Sequence, residues 1–236
     1  MITWRAILVI YTETKVRLGS SWFAPKKFQY RLEANEISDA LESFQHFPAL
    51  ARECSQGEVT LETTFAPSPH PLMSVTVMGE GIYWPSPTDT KPALDALAPP
   101  GAYDSVFVLW PQNDPRTGQS IPSGGWGLGM GASDWTNGAT YATVANAPTS
   151  AWQRPKLGEV WLHEWLHGVC HHFAQLGYAM PDGDADGGGR HGYFQSDATG
   201  WCSFYEDLMT GQVQSGGQLT GIPAEAWRRG SLLAPT

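Results

Sequence analysis

The stretch WLHEWLHGVCHHF, residues 161–173, holds four histidines and one glutamate. His163 and His167 are four residues apart, and Glu164 follows the first of them directly. On an α-helix each residue advances about 100°, so these two imidazoles project within about 40° of each other and lie about 6 Å apart along the axis. Two imidazoles at that spacing can chelate one ion, and Glu164 is placed to take a proton from a water beside it. The spacing predicts a zinc site with a general base.

The alternative is a surface helix that is rich in histidine by chance. The flanking residues are apolar on nearly every side: Trp161, Leu162, Trp165, Leu166 and Val169. This pattern indicates a buried helix. Burying two imidazoles and a carboxylate costs several kcal/mol unless something binds them, which favours the metal site.

The helix itself offers no third metal ligand of suitable geometry. His171 lies about 12 Å from His163 along the helix axis, and its direction from the axis differs from that of His163 by about 80°. One tetrahedral ion does not accommodate this separation. His172 lies on the face opposite His163. We expect both to be packing or solvent-side residues.

The sequence HEWLH, followed at a distance by DLMTG at 207–211, resembles the zincin metallopeptidases and, more loosely, their metzincin branch. The resemblance covers the helix and the C-terminal third of the chain. It implies that His163 and His167 are zinc ligands, that Glu164 is the catalytic base and that Met209 is the methionine of the turn beneath the metal.

The chain departs from the metzincin pattern at the third ligand. Where that pattern has a glycine and then a third histidine, this sequence has Cys170 and Phe173. A thermolysin-like arrangement would need a glutamate on a following helix, and Glu206 is the nearby one. The third ligand is therefore expected to be non-standard.

The segment MPDGDADGGGRHGYF, residues 180–194, is the remaining source of ligands. Asp186 is favoured because it lies furthest along the glycine-flanked tip, where Gly187 to Gly189 free the backbone to turn back. His191 is the alternative ligand; if Asp186 binds the metal, His191 would lie beside it.

The same segment begins like a calcium loop, with the pattern D-x-D-x-D-G at 182–187. The twelfth position holds Tyr193 rather than glutamate, so a full EF-hand is not expected. A looser Ca²⁺ site across Asp182–Asp186, in addition to Zn²⁺, stays open, as does a plain polar turn.

Three functions fit these residues. The leading hypothesis is a zinc-dependent endopeptidase acting on a protein or peptide substrate, with His191, Tyr193 or Tyr205 donating a hydrogen bond to the oxyanion; the first two are favoured. The substrate would pair with an exposed strand edge, expected at 139–145. The alternatives are a zinc hydrolase or amidase on a cell-wall or glycan-linked substrate, and a non-catalytic, metal-stabilised binding module, which would have no need of Glu164.

The composition of the chain limits the classes of partner that it can bind. The formal net charge is −9 with five lysines, which argues against nucleic-acid binding. No run approaches the roughly 20 apolar residues of a membrane helix. The low lysine content suggests an extracellular, secreted protein, although MITWRAILVIY at the start lacks the features of a signal peptide. Three cysteines, Cys54, Cys170 and Cys202, allow one disulfide and leave one thiol. The oligomeric state stays open.

The pattern of elements predicts how the chain positions these groups. Strands are expected at 6–11, 58–65, 72–79, 103–111 and 139–145, with 103–111 central, and a helix is expected from Asn35 to near Pro48. A long helix should span about 156–176 and stop at Gly177. The proline-rich segment 84–100 is expected to be a loop, and the glycine-rich segment after it to be irregular.

This order predicts an α+β fold: a zincin-like mixed sheet packed on the long HExxH helix, followed by an irregular C-terminal part. We expect a single metallopeptidase-like domain over 1–236. Its sheet-bearing part would span about 1–155, and the active-site helix and C-terminal part about 156–236.

Overall fold

The computed structural model describes residues 2–19, 26–79, 81–153 and 155–228. The strands are β1 (Ile2–Ile10), β2 (Glu13–Leu18), β3 (Lys26–Arg31), β4 (Val59–Pro67), β5 (Thr76–Gly79), β6 (Ile82–Trp84), β7 (Ser105–Trp110), β8 (Asn113–Asp114), β9 (Gln119–Ser120), β10 (Gly127–Met130), β11 (Thr140–Ala145), β12 (Val213–Ser215) and β13 (Gln218–Thr220). The α-helices are α1 (Ala34–Cys54), α2 (Pro87–Leu97), α3 (Thr149–Trp152), α4 (Glu159–Gln175), α5 (Cys202–Thr210) and α6 (Ala224–Arg228). Single 3₁₀ turns span Asp134–Thr136, Asp184–Asp186 and Gly188–His191.

A five-stranded sheet in the order β10-β11-β7-β1-β4 organises the molecule. The pairs β11–β7, β7–β1 and β1–β4 are parallel, and β10 is antiparallel to β11. Every residue of β7 and β11 is buried, as expected for strands covered on both faces. The prediction that 103–111 forms the central strand is confirmed.

Helices cover both faces of this sheet. On one face, the indole Nε1 of Trp165 in α4 donates to Ser105 Oγ of β7 at 2.9 Å. On the other face, the hydroxyl of Tyr141 in β11 donates to Pro85 O at 2.8 Å and lies 3.0 Å from Thr90 Oγ1 of α2. The coarse expectation of a mixed α+β fold is confirmed, with a mostly parallel sheet.

An aromatic core fixes α4 against the sheet. Phe107 of β7 meets Phe44, Phe47 and Trp161 at ring-centroid distances of 5.2, 5.2 and 6.0 Å in edge-to-face geometry. These apolar contacts come from the buried stripe of α1 and α4. Edge-to-face pairs add about 0.5–1.5 kcal/mol each beyond the burial of their area, so α4 is held firmly in its register.

Four expectations about regular structure are wrong. Helix α1 does not end near Pro48 but continues through it to Cys54, and the C-terminal part that was expected to be irregular contains α5, α6 and the antiparallel pair β12–β13. The segment 84–100 contains helix α2, which starts with Pro87 in the first turn behind a capping box of Ser86 and Asp89. Proline is well suited to the first helical turn, so proline content alone did not exclude a helix. The glycine-rich segment contains β10, whose pairing with β11 makes β10 the sheet edge in place of 139–145.

The predicted long helix is confirmed as α4. Its boundary lies where expected, since Gly177 follows it with a left-handed φ of 91°. None of the described helices is long and apolar enough to cross a lipid bilayer.

Candidate metal centre

Three side chains converge over α4. The Nε2 atoms of His163 and His167 are 3.3 Å apart, and Asp186 places one carboxylate oxygen 3.4 Å from His163 Nε2 and the other 3.8 Å from His167 Nε2. Bonds of about 2.0–2.1 Å in a tetrahedral site put neighbouring ligand atoms about 3.3–3.4 Å apart. The two imidazole nitrogens have this spacing, and one oxygen of the Asp186 carboxylate faces each of them. One ligand atom from each of the three residues lies within 4.8 Å of the others, which is compatible with one metal ion such as zinc. Among the described residues, no other group of histidine, cysteine and acidic side chains is arranged in this way.

The outer nitrogens of both imidazoles have partners of their own. His163 Nδ1 lies 2.8 Å from the hydroxyl of Tyr205 in α5, and His167 Nδ1 lies 2.5 Å from Asp184 Oδ1. Such contacts fix the tautomer and the orientation of metal-binding histidines. Both Nε2 atoms are thereby turned towards Asp186.

The loop after α4 brings Asp186 to the helix through a compact turn. Gly183 adopts a left-handed φ of 84°, and the 3₁₀ turn Asp184–Asp186 follows it. The hydrogen bond with His163 holds the pKa of Asp186 below its usual value. Asp186, the favoured third ligand, lies in the cluster.

His191 lies elsewhere. Its Nε2 is 3.1 Å from the backbone oxygen of Asp182 and its Nδ1 is 3.2 Å from that of Gln214. The expected position beside the metal is therefore wrong, because the turn at Gly188–His191 directs this side chain towards β12.

Tyr193 is not at the cluster either. Its hydroxyl donates to Asp207 Oδ2 at 2.5 Å, and its ring packs on Phe204 with centroids 5.1 Å apart. Of the three residues considered as oxyanion donors, the structure places Tyr205 in the cavity wall.

The aspartates of 182–186 do not assemble as a calcium site. Asp182 pairs with Arg190 at 3.1 Å, while Asp184 and Asp186 contact His167 and His163. The three carboxylates thus serve different partners, which does not match the shared oxygen cage that Ca²⁺ needs.

Glu164 lies beside the cluster and is 5% exposed. Burial raises its pKa to about 7, although the nearby His163 and His167 act in the opposite direction. Bound zinc would add positive charge and favour the ionised form. A carboxylate in this setting is suited to accept a proton near neutral pH.

Strand β10 presses against α4 through glycines. A Cβ added at Gly127 would lie 2.3 Å from the Glu164 carboxyl, and one at Gly129 would lie 2.0 Å from the backbone oxygen of Glu164. Only glycine permits this approach, which places the exposed edge of the sheet directly along the cluster.

A cavity of about 570 Å³ opens over the cluster. Besides the cluster it is lined by β10 and by a rim that includes Trp84, Trp126, Pro155, Glu159, Val160, Gln195, Trp201 and Tyr205. Glu159 Oε1 accepts the backbone N–H of Trp201 at 2.6 Å, so this carboxylate ties the rim to the first turn of α4.

The remaining histidines of α4 lie outside the cluster, as expected. His171 is exposed, with Nε2 2.9 Å from Gln175 Nε2, and His172 packs edge-on against Trp4 at 6.1 Å.

The two residues that the zincin resemblance offered from 202–210 also lie outside the cluster. Met209 is buried within helix α5, not in a turn beneath the cluster, and Glu206 is exposed. Met209 therefore does not occupy a turn, in contrast to what the resemblance implied.

Comparisons with protein-family models, curated proteins and solved structures found nothing that matches this chain. The functional argument therefore depends on the geometry of the site itself.

Proposed function

We propose that the protein is a zinc-dependent endopeptidase in which His163, His167 and Asp186 hold the metal and Glu164 is the general base. The observation that carries this proposal is the convergence of the three ligand atoms beside a buried carboxylate, within an open cavity. A site that only stabilises the fold needs no such base and no open cavity, which argues against a binding module.

Zinc bound at this site would lower the pKa of water towards about 7 and polarise the scissile carbonyl. Glu164 accepts the proton of the attacking water and passes it to the leaving amine. Its burial keeps bulk water away from this proton transfer, and Gly127 leaves the space in which the carboxylate sits.

Tyr205 is the donor for the developing oxyanion. A neutral imidazole that offers Nε2 to a metal carries its proton on Nδ1, so His163 donates to the Tyr205 oxygen. The Tyr205 hydroxyl hydrogen is then free to donate into the cavity that this residue lines. A preorganised donor of this kind stabilises the tetrahedral intermediate.

The substrate lies extended along β10. This strand pairs with β11 on one side and presents its other edge at the cluster. Main-chain hydrogen bonds to an edge strand bind a peptide without regard to its side chains, while the cavity supplies selectivity.

A second candidate is an amidase on a glycan-linked substrate. The rim of the cavity carries two partly exposed tryptophans, Trp126 and Trp201, whose indole rings suit stacking against sugar rings. The chemistry at the metal would be the same and the substrate would differ.

The test is hydrolysis of quenched peptides and of a glycan-linked peptide by zinc-loaded protein, with and without a chelator. We expect peptide cleavage that the chelator abolishes and added zinc restores. Cleavage restricted to the glycan-linked substrate would support the amidase, and activity unaffected by the chelator would contradict both.

A further inference from the structure

The end of α1, the start of α5 and the segment just before α4 lie together near the rim of the cavity. Cys54 is the last residue of α1, and Cys202 is the first residue of α5, which packs against α1. Lys156, just before α4, forms an ion pair with Glu53 at 3.2 Å. The junction thus brings one cysteine from each of two distant parts of the chain together beside a lysine.

The two thiols interact directly. Cys54 and Cys202 contact each other, and this contact lowers the pKa of Cys202, as does the nearby Lys156 ammonium. The same contact and burial raise the pKa of Cys54. Cys202 is half-buried and Cys54 is 3% exposed, so Cys202 is the thiol that a reagent in solution meets first.

We propose that Cys54 and Cys202 form a dithiol pair that closes to a disulfide between α1 and α5, while Cys170 remains a thiol. Cys170 is 1% exposed within α4 and lies outside this junction. Of the three pairings that three cysteines allow, the structure supports this one.

A small disulfide such as oxidised glutathione supplies the oxidising equivalents. The Cys202 thiolate attacks one glutathione sulfur, forming a mixed disulfide and releasing one glutathione thiolate. Cys54 then loses its proton and attacks the Cys202 sulfur, which forms the Cys54–Cys202 bond and releases the second glutathione. Two protein thiols are oxidised and one glutathione disulfide is reduced to two thiols.

The disulfide would connect to the candidate metal centre through α5. This helix carries Tyr205, which contacts His163, and the preceding Trp201 is tied to Glu159. Because the disulfide joins residues far apart in sequence, it also restricts the unfolded chain. Oxidation should therefore raise the unfolding temperature of the protein.

The experiment is incubation of the native protein with oxidised glutathione, followed by thiol titration in denaturant, intact mass and non-reducing peptide mapping. We expect the thiol count to fall from the three of the sequence to one, with loss of two hydrogens and a Cys54–Cys202 linked peptide. Cys170→Ser is the matched control and should form the same bond with the same rise in unfolding temperature.

Variants of the two cysteines distinguish the thiol that attacks glutathione from the thiol that closes the disulfide. Cys54→Ser should stop at a glutathione adduct on Cys202, and Cys202→Ser should gain neither adduct nor disulfide. A linked peptide containing Cys170, or a stable glutathione adduct on the wild-type protein without closure, would overturn the proposal. Peptide mapping of the wild-type protein gives this answer even if a variant fails to fold.

Discussion

Gly127→Ala tests the placement of the general base by β10. The added Cβ would lie 2.3 Å from both the Cδ and the Oε1 atoms of Glu164, far inside ordinary contact distance. The added Cβ also lies 2.4 Å from Cγ of Glu164, so the whole side chain must adopt another rotamer and move its carboxylate away from the cluster. We therefore expect loss of the proton transfer with the metal site intact.

The expected magnitudes follow from those two effects. General-base catalysis contributes about 10²–10⁴-fold, so kcat/KM on a quenched peptide should fall within that range. Overpacking should lower the free energy of unfolding by about 1–3 kcal/mol, and bound zinc should remain stoichiometric.

The matched control is Gly79→Ala in β5, outside the cavity lining, where an added Cβ makes only an ordinary contact of 3.9 Å with the Ile82 side chain. This variant should keep wild-type activity, zinc content and urea unfolding. Near wild-type kcat/KM in Gly127→Ala, or an equal loss in both variants, would refute the proposed packing of β10 on the base.

Further predictions concern the ligands and the base. Asp186→Ala should lose stoichiometric zinc while His191→Ala keeps it, measured by elemental analysis; the reverse pattern would exchange their roles. Tyr205→Phe removes the hydroxyl that contacts His163 and helps to orient its imidazole. Zinc affinity should therefore fall by about 10–100-fold in a competition titration, and an unchanged affinity would contradict this role of Tyr205. In protein stripped of metal by a chelator, the pKa of Glu164 is raised by folding, so its carboxyl ionises at a lower pH in the unfolded state than in the folded state. The stabilisation from this difference is present in full below about pH 4.5 and is lost as the pH rises to about 7. Urea unfolding at about pH 4 and about pH 8 should show that Glu164→Gln removes about 3 kcal/mol of this decline. Equal declines in the wild-type protein and the variant would show that the pKa of Glu164 is not raised in this way.

The local pattern of α4 predicts the part of the cluster that lies on one helix. The spacing of His163 and His167 fixes their relative position on any helix, and the apolar residues between them indicated burial. The prediction of Asp186 depends on the conformational freedom that the glycines after it give the backbone. These features depend on local geometry, which the sequence specifies directly.

The features that sequence reasoning missed depend on contacts between distant segments. The contacts of Tyr205 and Asp184 with the outer imidazole nitrogens arise from the packing of α5 and of the loop on α4, which the spacing along the chain does not encode. His191 was misplaced because the direction of a side chain in a tight turn is set by the turn and not by spacing.

One signal for β10 was present in the sequence. Glycines occupy positions 127, 129 and 131, and alternation with a period of two indicates a strand. All three glycines face α4, with Gly131 against His171. A strand with glycine at every second position indicates a close backbone approach, which here identifies the edge strand beside the base.

Hydrolysis by Glu164→Gln loaded with zinc tests the central claim most directly. The wild-type protein and the variant would be brought to equal zinc content by elemental analysis, and kcat/KM would be measured on the same quenched peptide. Since the amide cannot accept the proton of the attacking water, we predict that the variant keeps its zinc and loses activity by orders of magnitude. A variant that cleaves at a rate near that of the wild-type protein would contradict the assignment of the base and the mechanism built on it.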